Sequence, residues 1–132
     1  MIVGIGTDIV AVERLARLRQ QRGERFLSIV FTPDELARCL AKAGVDERLA
    51  VRFAAKEATM KALGTGWRQG VHFKQIEVRV QGSGKPELVL TGEALRRARQ
   101  LGATTFHVSL SHERENALAV VILEGEPGAA EA

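Results

Sequence analysis

Asp8 is a carboxylate in an apolar run, Ile2 to Val10 (IVGIGTDIV), flanked directly by Thr7 and Ile9. A buried carboxylate without a partner is strongly unfavourable, so Asp8 must sit exposed at a strand end as a cap, pair with a cation, or hold a metal. Glu57 and Lys61 stand in RFAAKEATMKAL, where Phe53, Glu57 and Lys61 recur every fourth residue. That spacing puts all three on one ridge of a helix, bordered by Ala54, Ala58 and Met60. The plain reading is an exposed Glu-to-Lys pair worth about 0.2–0.5 kcal/mol. The alanines around it point instead to a helix packed on several sides. If Asp8 and Glu57 converge, two carboxylates with no other hard ligand suit Mg²⁺, which completes its shell with waters and phosphate oxygens. Lys61, one turn beyond Glu57, then reaches the same phosphate as a charge or proton donor, and the three residues make sense as a phosphoryl-transfer site.

Other candidates carry less. The turns Gly64-Thr65-Gly66 and Gly82-Ser83-Gly84-Lys85-Pro86 offer backbone N–H groups and a lysine to a phosphate, but neither is a Walker loop. In HVSLSH, His107, Ser109 and Ser111 alternate with Val108, Leu110 and His112, so the two sets face opposite sides of a strand. No G-x-S-x-G elbow accompanies the serines, and a serine hydrolase is not expected. Cys39, the single cysteine, has no activating neighbour in its helix and reads as packing.

The elements that must position these residues follow from pattern and punctuation. The β-branched run to Val10 reads as a buried strand, and the segment from Val12 as an amphipathic helix with an Arg-rich outer face that fades around Gly23. Thr32, Pro33 and Glu35 form a capping-box start for a helix from Pro33 to about Ala43. The longest helix is expected from Glu47 to Leu63, closed by Gly64. Phe73 to Val80 and Glu87 to Leu90 read as a hairpin, with a short Thr91-capped helix to about Leu101 after it. The last strands are Thr105 to Ser111 and Ala117 to Leu123. The expected fold is one α+β domain over residues 1–124, a largely antiparallel sheet packed with a long helix, and a disordered tail over 125–132.

The chain has 132 residues, 45% apolar and 27% charged, the composition of a globular domain. No apolar stretch is long enough for a membrane helix, no secretory signal is expected, and one cysteine fits a reducing compartment, so a cytoplasmic protein is expected. Nineteen Lys and Arg against 16 Asp and Glu leave +3, too little to signal nucleic-acid binding. An RNA-binding module would need stacking aromatics, yet there is no Tyr and one Trp.

Four stretches in order, GIGTDIVAVERL, RFAAKEATMKALGTG, GSGKPELVL and HVSLSHERENALAVVI, resemble the bacterial holo-acyl-carrier-protein synthases, the small-type 4′-phosphopantetheinyl transferases. The resemblance implies transfer of the phosphopantetheine arm from coenzyme A to a serine of apo-acyl carrier protein, leaving adenosine 3′,5′-bisphosphate. It implies Asp8 and Glu57 as Mg²⁺ ligands, and Glu57 and Lys61 as catalytic groups. It further implies Lys61, Gly64, Lys85, Pro86, His107, Ser109 and His112 as coenzyme A contacts. Arg14, Arg17 and Arg22 become the surface for an acidic carrier protein, and a homotrimer with active sites at subunit interfaces is implied as well. A Mg²⁺-dependent nucleotide phosphoesterase is the alternative that the same three residues could serve.

Overall fold

The apolar run at the start forms β1 (Ile2–Ala11), and the computed structural model describes residues 1–127. β1 leads into α1 (Val12–Val30), followed by α2 (Pro33–Leu40) and α3 (Val45–Leu63). A 3₁₀ turn (Phe73–Gln75) opens β2 (Ile76–Val80), which pairs with β3 (Pro86–Leu90). Then come α4 (Gly92–Gln100), β4 (Ala103–Glu113) and β5 (Asn116–Gly125). Every pairing is antiparallel, but the strands divide into a three-stranded sheet of order β1-β5-β4 and the separate β2-β3 hairpin.

α3 is the hub. Its five alanines, Ala50, Ala54, Ala55, Ala58 and Ala62, are all buried, because the inner face of the large sheet lies on one side and the other helices on the rest. Small side chains let neighbours approach closely from several directions. Between Leu49 and Leu63 every residue is buried except Glu57 and Lys61. The helix opens to solvent where the candidate chemistry sits. Gly64, at φ 77°, closes it, its N–H reaching the carbonyls of Met60 and Lys61.

β1 lies directly on α3 because it carries glycines. A Cβ at Gly4 would sit 2.6 Å from the Ala62 carbonyl oxygen, and one at Gly6 would run into the carbonyl of Ala58. Gly6 and Asp8 share the inner face of the strand, so this close approach carries Asp8 to the helix.

The capping box of α2 forms as expected, with Glu35 N–H donating to Thr32 Oγ1 at 3.2 Å and Thr32 N–H to Glu35 Oε1 at 2.9 Å. α3 starts two residues earlier than expected, β4 and β5 run longer, and other features differ as well. α1 does not end at Gly23; it kinks there (φ 58°, ψ −141°) and continues, because Leu27 and Val30 beyond the kink are core residues. α2 stops at Leu40, short of Ala43. The strand expected from Phe73 begins at Ile76, the residues before it being held as a 3₁₀ turn whose Gln75 side chain accepts from His72 N–H. Thr91 makes no side-chain cap on α4; Gln75 Oε1 instead accepts from Ala94 N–H at 3.2 Å. At the chain end, Gly125 completes β5 opposite Ala103, and Glu126 N–H donates to Gly102 O at 3.1 Å. Of the tail expected over 125–132, residues 128–132 lie outside the described residues.

Candidate active site

Asp8 and Glu57 converge. The Asp8 side chain is 10% exposed; its Oδ1 accepts from Lys61 Nζ at 3.0 Å, and Lys61 also donates to Thr7 O at 3.1 Å. Asp8 Oδ2 is buried without a partner, as is Arg52 Nε. The half-buried Glu57 carboxyl is pushed up to about 7. Burial is the first cause, the Asp8 charge and a hydrogen bond to Asp8 the next, while Arg14 and Lys61 pull the other way. Two carboxylates forced together, one with an orphaned oxygen and one inclined to hold a proton, are short of positive charge. They fit a hard divalent cation that takes its remaining ligands from water and substrate. No group of three or more His, Cys, Asp or Glu able to hold a metal occurs among the described residues.

Beside this pair runs an open groove of about 790 Å³ between α1, α3 and the 64–73 loop. Arg14, Arg22 and Arg25 border it, and Phe26, Phe53, Trp67 and Phe73 supply its aromatic walls. Phe53 stacks on Phe73 with centroids 5.6 Å apart, and Trp67 meets Phe73 edge-on at 5.4 Å. The Arg14 guanidinium lies 5.4 Å from the Phe53 ring centre and lowers the proton affinity of Glu57, so it belongs to groove and carboxylate pair alike. Arg17 is exposed elsewhere on α1 and does not line the groove.

The remaining candidates divide. Lys85, Pro86 and His107 come together around a cavity of about 400 Å³, with Phe106 and Gln81. His107 Nε2 lies 3.0 Å from Glu124 Oε1 on the neighbouring strand, and that contact holds the Glu124 carboxyl below its ordinary value. Ser109 shares the outer, exposed side of β4 with His107; His112 is also exposed but sits roughly 17 Å further along the strand, on the opposite side. Gly64 closes α3 one turn from Lys61, and Arg97 Nε donates to Leu63 O beside it at 3.0 Å. His107 is three residues and two strands from Asp8 (register Ile5–Ile122–His107 against Asp8–Ala119–Leu110), a span of roughly 14 Å, and it faces the other side of the sheet.

Sequence reasoning missed Arg25, the four aromatics of the groove, and Arg97. The single tryptophan, in a glycine-rich loop, was the one available signal. The nucleophile alternatives fall away: Cys39 is buried with its thiol pushed up by desolvation, and His107 faces Glu124, not a serine.

Paired carboxylates, an adjacent ammonium and an arginine-bordered groove are an arrangement suited to phosphate chemistry. The family profile of the 4′-phosphopantetheinyl transferase superfamily matches residues 4–121, and the chain belongs to that family. It is 48% identical over 124 residues to the holo-[acyl-carrier-protein] synthase of Koribacter versatilis, covering 94% of this chain and 99% of that one. The crystal structure of the Neisseria meningitidis holo-[acyl-carrier-protein] synthase superposes with a TM-score of 0.84 at 41% identity, over 94% of this chain and 99% of that one. A Bacillus anthracis holo-(acyl-carrier-protein) synthase, solved in complex with CoA (3′,5′-ADP), superposes with a TM-score of 0.79 at 37% identity, over 96% and 99%.

Proposed function

We propose that this chain transfers the 4′-phosphopantetheine arm of coenzyme A to a serine of an acidic apo-acyl carrier protein, with a divalent cation, Mg²⁺ by its ligand set, held by Asp8 and Glu57. The observation that carries the reading is the convergence of Asp8, Glu57 and Lys61, with Arg14 acting on Glu57 and bordering the groove. The cation would supply positive charge to the coenzyme A pyrophosphate. Asp8 would hold it, and its partner Lys61, 57% exposed, would turn to donate to a phosphate oxygen. The serine proton passes to Glu57, directly or through a water, as the serine oxygen bonds to the phosphorus of the pantetheine phosphate. The bridging P–O bond breaks, and Lys61 neutralises the charge on the departing adenosine 3′,5′-bisphosphate.

Arg14 and Arg22 border the groove and Arg17 extends the same positive helix, a complement to an acidic carrier. Lys85, Pro86, His107, Ser109, His112 and Gly64 are assigned to the nucleotide end of coenzyme A. His107 and Asp8 face opposite sides of one sheet, so the two groups serve one substrate most simply when they come from different copies of the chain. The outer sheet face supports that assembly: Ile5, Ile9 and Leu118 are 63%, 64% and 39% exposed on it, with Val120 and Ile122 between them. A homotrimer with active sites between copies is the assembly proposed, in the cytoplasm.

Intact-mass spectrometry of an apo-acyl carrier protein after incubation with this protein, coenzyme A and Mg²⁺ tests the reading. A gain of about 340 Da, lost with EDTA, is expected. Coenzyme A hydrolysis with the carrier left apo would replace transfer by phosphoesterase activity.

A further inference from the structure

Lys56 is fully buried, yet it is the residue next to Glu57 and no step above uses it. Its ammonium donates to three acceptors from three elements: Glu35 Oε1 of α2 at 2.7 Å, Phe73 O of the 3₁₀ turn at 3.1 Å, and Ile76 O at the start of β2. Every proton it carries is used. Glu35 is as fully committed, accepting from Thr32 N–H and from Val78 N–H at 3.0 Å as well as from Lys56. A buried ion pair contributes little net stability over an apolar pair of the same size, so stability alone does not account for this one. What it does supply is placement. The turn gripped by Lys56 carries Phe73, which stacks on Phe53 and supports Trp67, and those rings are the groove walls.

We propose that Lys56 is a positioning residue for substrate docking: its ammonium, fixed by Glu35, holds the Phe73 turn at one height on α3 and thereby sets the aromatic wall against which the carrier protein binds. The proposal rests on the reading of the groove as the carrier site. Its first effect is on the groove: Phe73 is held directly by Lys56, whereas Lys85 and Pro86 lie at the far end of the β2–β3 hairpin that Lys56 and Glu35 grip at Ile76 O and Val78 N–H.

The test separates placement from folding. Lys56→Met alone strands the Glu35 charge in the core, and a fall of about 10 °C or more in Tm is expected. The double variant Lys56→Met/Glu35→Met removes both charges and restores part of that Tm, the backbone groups the two side chains held being left without those partners. In the double variant the carrier KM nonetheless rises about tenfold, a larger rise than in the coenzyme A KM, and acrylamide quenches the fluorescence of Trp67, the single tryptophan, more strongly than in wild type. Wild-type carrier KM and wild-type quenching in a folded double variant would overturn the proposal. Should that variant not fold, Lys56→Arg serves, since a flat guanidinium cannot converge on three acceptors from one nitrogen; wild-type KM and quenching there would overturn it equally. A wild-type protein that loads no carrier would defeat the functional reading instead, and the Trp67 quenching comparison would still decide the role of Lys56.

Discussion

The inner face of the three-stranded sheet and its outer face hold two different kinds of site. On the inner face Asp8 and Glu57 are pressed together by packing: glycines seat β1 on α3, and the result is an orphaned oxygen and a carboxyl whose proton affinity is raised to about 7. On the outer side Lys85, Pro86 and His107 line an open cavity, and the histidine is already satisfied by Glu124. The inner pair carries an excess of negative charge that a cation would offset. The outer site is half a wall. On the function proposed, chemistry that needs precise electrostatics would sit in the core, and recognition of an extended ligand would fall to a surface that a second copy could close.

The largest effects belong to the inner site. Asp8→Asn and Glu57→Gln should each lower carrier loading about 10³-fold or more in steady-state kinetics while the far-ultraviolet spectrum is kept. Retained turnover in either would remove that residue from the site. Gly6→Ala places a methyl group against the backbone of α3, so a loss of about 1–3 kcal/mol in urea unfolding is expected together with reduced loading, because Asp8 moves with the strand. An unchanged protein would show that the close approach is not what places Asp8. Arg14→Glu should raise the carrier KM about tenfold and flatten its salt dependence, leaving the coenzyme A KM alone. Lys85→Ala should do the converse, raising the coenzyme A KM only a few-fold, as expected for one exposed charge-assisted contact.

The smallest effect is on the pH dependence of stability. Folded Glu57 holds its proton to about pH 7, against an ordinary value of 4.5, so between those values the folded chain binds more protons than the unfolded one. Stability of the metal-free protein should therefore fall as pH rises through that window, an effect softened by the partial exposure of Glu57. Melting curves of Glu57→Gln should lack this component, and a divalent cation should oppose it in wild type.

Asp8, Glu57 and Lys61 were legible in the sequence because each violates its local pattern: an acid in an apolar strand, and two charges in a helix of alanines. The helices and strands were legible from caps and periodicity for the same local reason. What was not legible depends on partners far along the chain. The 3₁₀ turn at Phe73 and the cap of α4 are set by Lys56 and by Gln75, which lie 17 and 19 residues from the groups they bind. The groove walls Phe53, Trp67 and Phe73 were not legible as walls, because nothing local distinguishes a ring facing a groove from one facing the interior. α1 passes through Gly23 because its far half is needed in the core, a tertiary demand that overrides the glycine.

The central claim is that the inner carboxylate site of one copy works with the outer cavity of another, and complementation tests it most directly. Asp8→Asn and Lys85→Glu/His107→Glu chains, each inactive alone, are co-expressed with different tags, and the mixed assemblies isolated. If the two halves come from neighbouring copies, every mixed trimer has one of its three sites with both halves intact, and about a third of wild-type loading returns. If each chain carries its whole site, every site lacks one half, and the mixture stays as inactive as its components.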